Sequence, residues 1–314
     1  MKLDGFFIPV QTALLLALAP LVSGCIKNWK AKLQNRRGPR IWQPYFDIAK
    51  YLHKDMVISE HASWVFPVAP YVVFVTSLLV GLMVPLLTVQ APLGLFGGAL
   101  AVIGLLALGR FFLALGGLDP ASAFGGMGSS REMTLSAIAE PALVLAIFTV
   151  AITAGSTDLS RIVAAGRESN FSLLNPAHLM AFAALFIVLL AETGRVPVDN
   201  PATHLELTMI HEAMLLEYSG RYLALMEWGA SIKQLVLMTV LVNIFLPVGL
   251  AVDRSAASLA IAGGAFLLKI FALSGAVVLV ETVNAKLRLF RVPDLLSAAF
   301  VLAMLGLLST FLFQ

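Results

Sequence analysis

Eight apolar stretches, each close to the length that crosses a lipid bilayer, limit what this chain can fold into. A membrane-spanning helix needs roughly 20 mostly apolar residues, and it satisfies its backbone hydrogen bonds within that one segment. The sequence therefore predicts an all-α, polytopic membrane protein with a single transmembrane domain over residues 1–314. The predicted spans are residues 6–26, 66–87, 93–115, 133–154, 176–191, 232–252, 259–280 and 295–313.

Composition supports this fold class and excludes some kinds of site. The chain is 59% hydrophobic and 12% charged, whereas a soluble domain carries about 25% charged residues. Its single cysteine, Cys25, excludes a disulfide framework and any Cys-ligated zinc or iron–sulfur site made by this chain alone. The histidines His204 and His211 are not four residues apart, as in the zinc-binding helix motif, so we predict no metal site.

Basic residues are distributed unequally between the two ends of the predicted spans. Fifteen lysines and arginines fall in the loops that follow spans one, three, five and seven, or at their edges, and only four lie on the other side. Loops rich in Lys and Arg stay in the cytoplasm. We therefore expect long cytoplasmic loops at residues 27–64 and 192–231, and both termini on the non-cytoplasmic side.

The first long loop contains "NRRGPRIWQPYFDIAKYLHKD". Arg36 and Arg37 precede a Gly38-Pro39 pair that stops the first helix. An amphipathic helix is predicted from Tyr45 onward, lying in the membrane interface. Its basic residues are explained either as an anchor on anionic lipid or as a docking surface for a soluble partner. The apolar positions expected on one face are Phe46, Ile48, Ala49 and Leu52.

The order of residues in this loop resembles the first signature of the complex I subunit 1 family. The signature residues are Gly38-Pro39, Trp42-Gln43-Pro44, Asp47, Lys50 and Lys54-Asp55. The family comprises the quinone-chamber membrane subunit of NADH:quinone oxidoreductase and its counterparts in membrane-bound NiFe hydrogenases. The short form "RRGPRIWQPYFDI" resembles the hydrogenase branch, which includes formate hydrogenlyase and hydrogenase-4 type complexes. The resemblance covers essentially the whole chain and implies a common core of eight spans.

The second loop, "GGLDPASAFGGMGSSREM", is rich in glycine. We expect tight turns here, with Ser129 or Ser130 capping the fourth span. "GSSRE" also resembles the family's loop that lines the chamber below the docked soluble subunits, which makes Arg131 and Glu132 candidate site residues. The residues that we assign to docking or loop structure are Arg36, Arg37, Gly38, Pro39, Gln43, Asp47, Lys50, Arg131 and Arg195.

Three candidate pathway residues lie within or at the end of predicted spans. Glu140 follows Glu132 by eight residues and shares its helical face, so it either pairs with Arg110 or faces a hydrated pathway. Lys269, in span seven, is a counter-ion, a relay member or a snorkelling side chain. Glu281 ends that span. It belongs to a pathway or forms an interfacial ion pair, for which the candidates are Lys286 and Arg288.

An acidic segment follows the fifth span and reads "AETGRVPVDNPATHLELTMIHEAMLLEYSG". Glu192 and Arg195 are three residues apart and can pair with each other. A helix is expected to resume near Ala202. "AETGRVPVDNP" and "EYSG" resemble the family's second signature, which forms an acidic funnel toward the membrane proton path. The resemblance implies proton-pathway roles for Glu192, Asp199, Glu206 and Glu217, with Glu212 as a weaker match. The other candidate pathway residues are Glu132, Glu140, Lys269 and Glu281.

The second signature also departs from the complex I pattern. Val198 replaces an aromatic residue, and Ala202 and His204 replace acidic residues. These departures favour the hydrogenase branch. His204 is able to replace a carboxylate as a proton carrier near neutral pH.

We therefore predict a non-catalytic subunit of an oxidoreductase complex in a bacterial or archaeal inner membrane. It would dock soluble large and small hydrogenase-like subunits and link electron transfer to ion translocation. The resemblance implies antiporter-like membrane partners, and NiFe and iron–sulfur centres held by partner subunits; it allows for a bound quinone. Nucleic acid is not an expected partner. The alternatives are the quinone-chamber subunit of NADH:quinone oxidoreductase itself and an independent secondary transporter, although no internal repeat supports the latter.

Overall fold

The computed structural model describes residues 4–168, 175–200, 209–252 and 255–312. Within them the chain forms eleven α-helices, short 3₁₀ turns at Gly94–Phe96 and Leu289–Arg291, and two isolated β-bridges. The helices are α1 (Asp4–Leu33), α2 (Gln43–His53), α3 (Val65–Met83), α4 (Ala99–Leu118), α5 (Ala123–Ala154), α6 (Leu159–Glu168), α7 (Pro176–Glu192), α8 (His211–Leu215), α9 (Gly220–Phe245), α10 (Ala256–Val283) and α11 (Val292–Leu312).

Seven of the described helices are long and apolar enough to cross a membrane: α1, α3, α4, α5, α9, α10 and α11. The helix α7 is apolar but has 17 residues, and it corresponds to the short fifth span that the sequence predicts. Together these eight helices confirm the predicted all-α, polytopic class.

Contacts between loops show that successive spans alternate in direction. At one end, Ser63 donates its backbone N–H and its hydroxyl to the Asp119 carboxylate at 2.6 and 2.5 Å, and the Tyr218 ring stacks on Phe66 at 4.1 Å. We call this the polar end; it holds residues 34–64, 119–122, 193–219 and 284–291, as far as these are described. At the opposite end, the side-chain amide of Gln11 donates to the Val84 carbonyl at 3.0 Å.

The helix α9 forms the centre of the bundle. It packs against α1, α2, α3 and α7, and most of its residues are buried. The helices α10 and α11 lie at the periphery and expose large apolar side chains, among them Ile261, Leu268, Val301 and Leu305. Exposed apolar residues on spanning helices are expected to face lipid.

Two of the predicted span starts were wrong because polar residues continue the helix. The fourth span was expected from residue 133, but α5 begins at Ala123, where Ser122 accepts a hydrogen bond from the Gly125 N–H at 3.1 Å. Neither Ser129 nor Ser130 is the cap, since both lie inside α5. The sixth span was expected from residue 232, but α9 begins at Gly220.

The expected tight turns among the glycines of the second loop are helix instead. A Cβ atom on Gly125 would lie 2.1 Å from the Gly117 carbonyl oxygen, and one on Gly128 would lie 2.8 Å from the Ala213 Cβ. Here glycine permits close packing of α5 against α4 and α8 rather than a change of chain direction.

The first loop folds back along α1 before α2 begins. The Asn28 side-chain amide donates to the Pro39 carbonyl at 2.8 Å, and the Tyr45 hydroxyl donates to the backbone of α1 at Ala17. The expected single apolar face of α2 is split: Ile48 is buried, whereas Phe46, Ala49 and Leu52 are exposed. The helix α2 packs against α1 and α9, and Ile48 is the residue of α2 that is buried.

Candidate functional site

A buried arginine in α4 collects carboxylates from two neighbouring helices. Arg110 is 4% exposed. Its Nη1 lies 2.6 Å from Glu140 Oε1, its Nη2 lies 2.7 Å from Glu192 Oε1, and its Nε lies 4.0 Å from Glu132 Oε1. On the far side of Glu192, Lys233 Nζ lies 2.8 Å from Oε2. We call these five residues the Arg110 cluster; with all groups ionised it carries a formal charge of −1.

The helix geometry explains why these groups meet. Glu132 and Glu140 lie on one face of α5, as their spacing predicts, and that face packs toward α4 and α7. Removing charges from water costs several kcal/mol each, so buried charges persist only where partners and hydrogen bonds surround them. The Glu140–Arg110 pair is one of the two alternatives that the sequence leaves open. The Glu140 side chain is still 38% exposed, so the pair does not separate it from water.

The pair between Glu192 and Arg195 that their spacing allows is not formed. Gly194 between them has a φ of +58°, a left-handed conformation that glycine adopts without a steric penalty. The chain therefore leaves α7 in a new direction, with Glu192 facing Arg110 and Lys233, and Arg195 facing α9 and α10.

Arg195 is the centre of a second group of charges. Its Nη1 lies 3.0 Å from Glu281 Oε1, and its Nη2 donates to Gln234 Oε1 at 2.8 Å. Lys30 Nζ lies 2.8 Å from Glu281 Oε2. We call Arg195, Glu281 and Lys30 the Arg195 cluster; its formal charge is +1. Gln234 also accepts a hydrogen bond from the Ser23 hydroxyl at 3.2 Å.

Of the two alternatives for Glu281, the ion pair with Lys286 or Arg288 is therefore not formed. Lys286 Nζ instead lies 2.8 Å from Asp199 Oδ1, and Asp199 Oδ2 accepts the Ile210 N–H at 3.1 Å. The chain leaves α10 after Val283 in an extended conformation, which carries Lys286 away from Glu281 and toward the segment after α7.

A small pocket, partly open to solvent and with room for about one water molecule, lies beside the Arg110 cluster. Its polar lining comes from Glu132, Ser136, Glu192, Asp199 and His211, and its apolar lining from α5, α7 and the segments that follow them. Carboxylates that are far apart in sequence thus share one pocket with a histidine. Such an arrangement is able to hold water and to accept or release protons.

Glu227 joins this region, and sequence reasoning missed it. Although it lies in the mostly apolar run "LALMEWGA" of α9, it interacts electrostatically with Glu212, Asp47, Lys27 and His211. A carboxylate among apolar residues near the start of a span is the signal that identifies Glu227.

Sequence reasoning also missed several partners of the predicted residues. Arg110 was weighed only as a partner of Glu140, while Lys30, Lys233 and Gln234 were not proposed. Lys233 and Gln234 do interrupt an apolar helix, which is a usable signal. Nothing local to Lys30 connects it with Glu281.

Lys269 lies apart from both clusters. Its Nζ donates to the Leu246 carbonyl at 2.6 Å and to Asn243 Oδ1 at 3.3 Å. Asn243 in turn donates to the Pro85 carbonyl at 2.8 Å. The ammonium therefore lies at the carboxyl end of α9, where a positive charge is favourable. Through Asn243 these hydrogen bonds connect α10, the end of α9 and the segment after α3.

Two other predicted site residues that the structure describes lie apart from both clusters. Glu217 is exposed, while Arg131 donates to the Met209 carbonyl at 2.8 Å. His204 and Glu206, together with the helix expected near Ala202, lie outside the described residues.

The predicted docking residues of the first loop divide into exposed and structural groups. Arg36, Arg37 and Lys50 are exposed. Gln43 Nε2 donates to Asp47 Oδ1 at 2.9 Å within α2. Gly38 and Pro39 pack against the end of α1, where a Cβ on Gly38 would lie 2.7 Å from the Ala31 Cβ. For metal ions, no group of three or more His, Cys, Asp or Glu side chains suited to binding occurs among the described residues.

Comparison with known proteins identifies relatives along nearly the whole chain. A family model described as NADH dehydrogenase matches residues 7–312. Formate hydrogenlyase subunit 4 of Escherichia coli is 36% identical over 300 residues, and hydrogenase-4 component C of the same organism is 35% identical over 309 residues. Each of these alignments covers 96% of both chains.

More distant relatives extend the match. The H subunit of NADH-quinone oxidoreductase from Syntrophotalea carbinolica is 33% identical over 235 residues, covering 68% of each chain. A chain in the solved structure of a membrane-bound sulfane sulfur reductase, an archaeal respiratory membrane complex, superposes with a TM-score of 0.82. It shares 21% identity and covers 96% of this chain and 98% of its own length. That likeness concerns the fold, and the sequence matches carry the family assignment.

Proposed function

The chain belongs to the NADH dehydrogenase family, and from this premise we propose that it is the membrane-anchor and ion-coupling subunit of a hydrogenase-type redox complex related to complex I. The predicted resemblance to this family is confirmed. As a multi-pass protein, the chain lies in a bacterial or archaeal inner membrane. The polar end faces the cytoplasm in this proposal, because it carries most of the lysines and arginines, and both termini then lie outside.

The proposed docking surface lies on the first loop at the polar end. Arg36, Arg37, Arg40 and Lys50 are exposed there, and Trp42 beside them is 59% exposed. A soluble redox arm with acidic groups opposite these cations would bind with electrostatic complementarity. In this proposal the NiFe and iron–sulfur centres belong to that arm, and antiporter-like subunits lie beside the chain in the membrane.

The observation that carries the coupling role is the buried Arg110 cluster. Arg110 faces three carboxylates, and Glu192 lies between two cations, Arg110 and Lys233. A change of charge in the docked arm would alter the potential at the polar end and shift the balance between these pairs. A carboxylate released from its cation gains affinity for a proton, since an opposite charge favours the ionised form.

The coupling role is tested with Glu140→Gln in the complete complex, reconstituted into lipid vesicles. Electron transfer should continue while proton translocation is lost, because the amide cannot take up a proton. Glu168→Gln is the matched control, since Glu168 is exposed at the end of α6 and should not affect either activity. Normal translocation in Glu140→Gln would remove this residue from the pathway.

The docking role is tested by replacing Arg36 and Arg37 with alanine. The yield of soluble subunits that co-purify with the membrane part should fall several-fold. Arg161→Ala is the control, because the Arg161 side chain is 78% exposed at the opposite end. If the full complex still purifies from the double variant, the two arginines act only as anchors to anionic lipid.

A second candidate is the quinone-chamber subunit of NADH:quinone oxidoreductase. The observation in its favour is the 33% identity with the H subunit from Syntrophotalea carbinolica. The discriminating observation is the large soluble subunit encoded beside this chain. Four nickel-ligating cysteines in that large subunit would establish a hydrogenase, and their absence would favour the quinone-linked enzyme.

A further inference from the structure

The two charge clusters meet at consecutive residues of one helix. Lys233 belongs to the Arg110 cluster, and the next residue of α9, Gln234, contacts the Arg195 cluster. Because the residues are adjacent on a central and well-packed helix, the two clusters are held at a fixed separation. Among the described residues, Lys233 and Gln234 are the only sequence neighbours of which one side chain contacts Glu192 and the other contacts Arg195.

Gln234 is buried and makes hydrogen bonds mainly through its oxygen. The residue is 5% exposed, and its Oε1 accepts from Arg195 Nη2 at 2.8 Å and from the Ser23 hydroxyl at 3.2 Å. Its Nε2 lies 3.9 Å from the Met238 sulfur, a weak acceptor. A carboxylate would satisfy the Arg195 and Ser23 donors at least as well as an amide does. The amide therefore requires an explanation other than hydrogen bonding.

The difference between an amide and a carboxylate is the ability to carry a proton. A carboxylate accepts a proton and later releases it, whereas a side-chain amide stays neutral at physiological pH. We propose that Gln234 is a proton-blocking residue: it contacts Arg195 of the Arg195 cluster, next in sequence to Lys233 of the Arg110 cluster, and it lets no proton pass between the two clusters. This inference rests on the proposed coupling function, because it assumes that the Arg110 cluster handles protons.

The charges on either side of Gln234 support this role. The Arg110 cluster has one carboxylate in excess and attracts a proton, while the Arg195 cluster has one cation in excess and repels it. Lys30, at the outer edge of the Arg195 cluster, has a side chain that is 20% exposed near the polar end. A carboxylate at position 234 would neutralise the Arg195 cluster and add a proton-carrying group next in sequence to Lys233, which would open a leak toward the polar end.

The test is Gln234→Glu in the complete complex, reconstituted into vesicles. Electron transfer should be retained, while protons translocated per electron fall several-fold and the passive proton leak rises. Gln234→Met is the control: it removes the acceptor of Arg195 without adding a titratable group, so it should lower thermal stability without opening a leak.

Each outcome decides the proposal. A wild-type translocation ratio and leak in Gln234→Glu would overturn it. Equal leaks in Gln234→Glu and Gln234→Met would indicate a packing defect and would also overturn it. The Glu140→Gln experiment separates this result from the coupling function: loss of translocation in Glu140→Gln, with normal translocation in Gln234→Glu, refutes only the role of Gln234.

Discussion

Replacing Arg110 by methionine removes the cation at the centre of the buried cluster. Methionine keeps an unbranched chain of similar shape, so the change removes charge and hydrogen bonds rather than much of the packing. Glu192, whose side chain is 4% exposed, would keep only Lys233 as a partner. The formal charge of the cluster would change from −1 to −2.

The loss of folding stability in Arg110→Met depends on how deeply each carboxylate partner of Arg110 is buried. Removing one partner of a buried ion pair costs about 3–5 kcal/mol, because the remaining charge is left without compensation. Glu140 is 38% exposed and Glu132 is 15% exposed, so water is able to stabilise both in part. Most of the loss therefore comes from Glu192, and because Glu192 keeps Lys233 as a partner, we expect Arg110→Met to destabilise the fold by about 3 kcal/mol, the lower end of that range.

Two further variants show whether charge is the cause. The assay is unfolding in mixed micelles of detergent and dodecyl sulfate. Arg161→Ala breaks an exposed pair with Asp158, 3.9 Å apart, and should cost less than about 1 kcal/mol. Adding Glu192→Gln to Arg110→Met returns the formal charge to −1 and should recover part of the lost stability. The reasoning would be refuted by an Arg110→Met variant as stable as Arg161→Ala, or by a double variant less stable than Arg110→Met.

Two other predictions follow from local packing. Gly24→Ala should displace the first loop and lower the thermal stability, because a Cβ at residue 24 would lie 2.0 Å from the Ile41 carbonyl oxygen. Gly104→Ala should be tolerated, since no atom lies within 4 Å of a Cβ there. Equal melting temperatures for the two variants would contradict this prediction. Burial raises the pKa of the Tyr218 phenol above its ordinary value of 10.0, so the unfolded chain loses this proton first and the fold should lose stability as the pH rises above about 10. Tyr218→Phe removes the phenol but keeps the stack on Phe66. The difference in melting temperature between this variant and the wild type should therefore be smaller at alkaline pH than at neutral pH. A difference that is the same at both pH values would exclude a role for the phenol.

The spans were predictable because hydropathy belongs to each segment separately. Every predicted span corresponds to a helix, including the short α7. The errors occur where polar residues continue a helix, as at the start of α5 and of α9. Glycines such as Gly125 suggested turns, but their role is to admit a neighbouring backbone, and that neighbour is unknown until the helices pack.

The candidate site was predictable in its residues but not in its partners. The resemblance singled out Glu192 and Asp199, and the position of Glu281 at the end of a span singled it out; the structure places each in a buried ion pair. Local spacing suggested Arg195 for Glu192, and Lys286 for Glu281, because residues a few positions apart on a regular helix or loop are near each other. Gly194 and the extended chain after Val283 remove both of those pairs.

The sequence by itself determined the membrane class, the spans, the family and most of the acidic residues of the site. These follow from the composition and order of residues within single segments. The tertiary structure decided that Glu192 pairs with Arg110 and Lys233, and that Lys233 and Gln234 join two clusters of opposite charge. The physical reason is that an ion pair depends on distances of a few ångströms between helices far apart in sequence. Those distances are set only when the helices pack together.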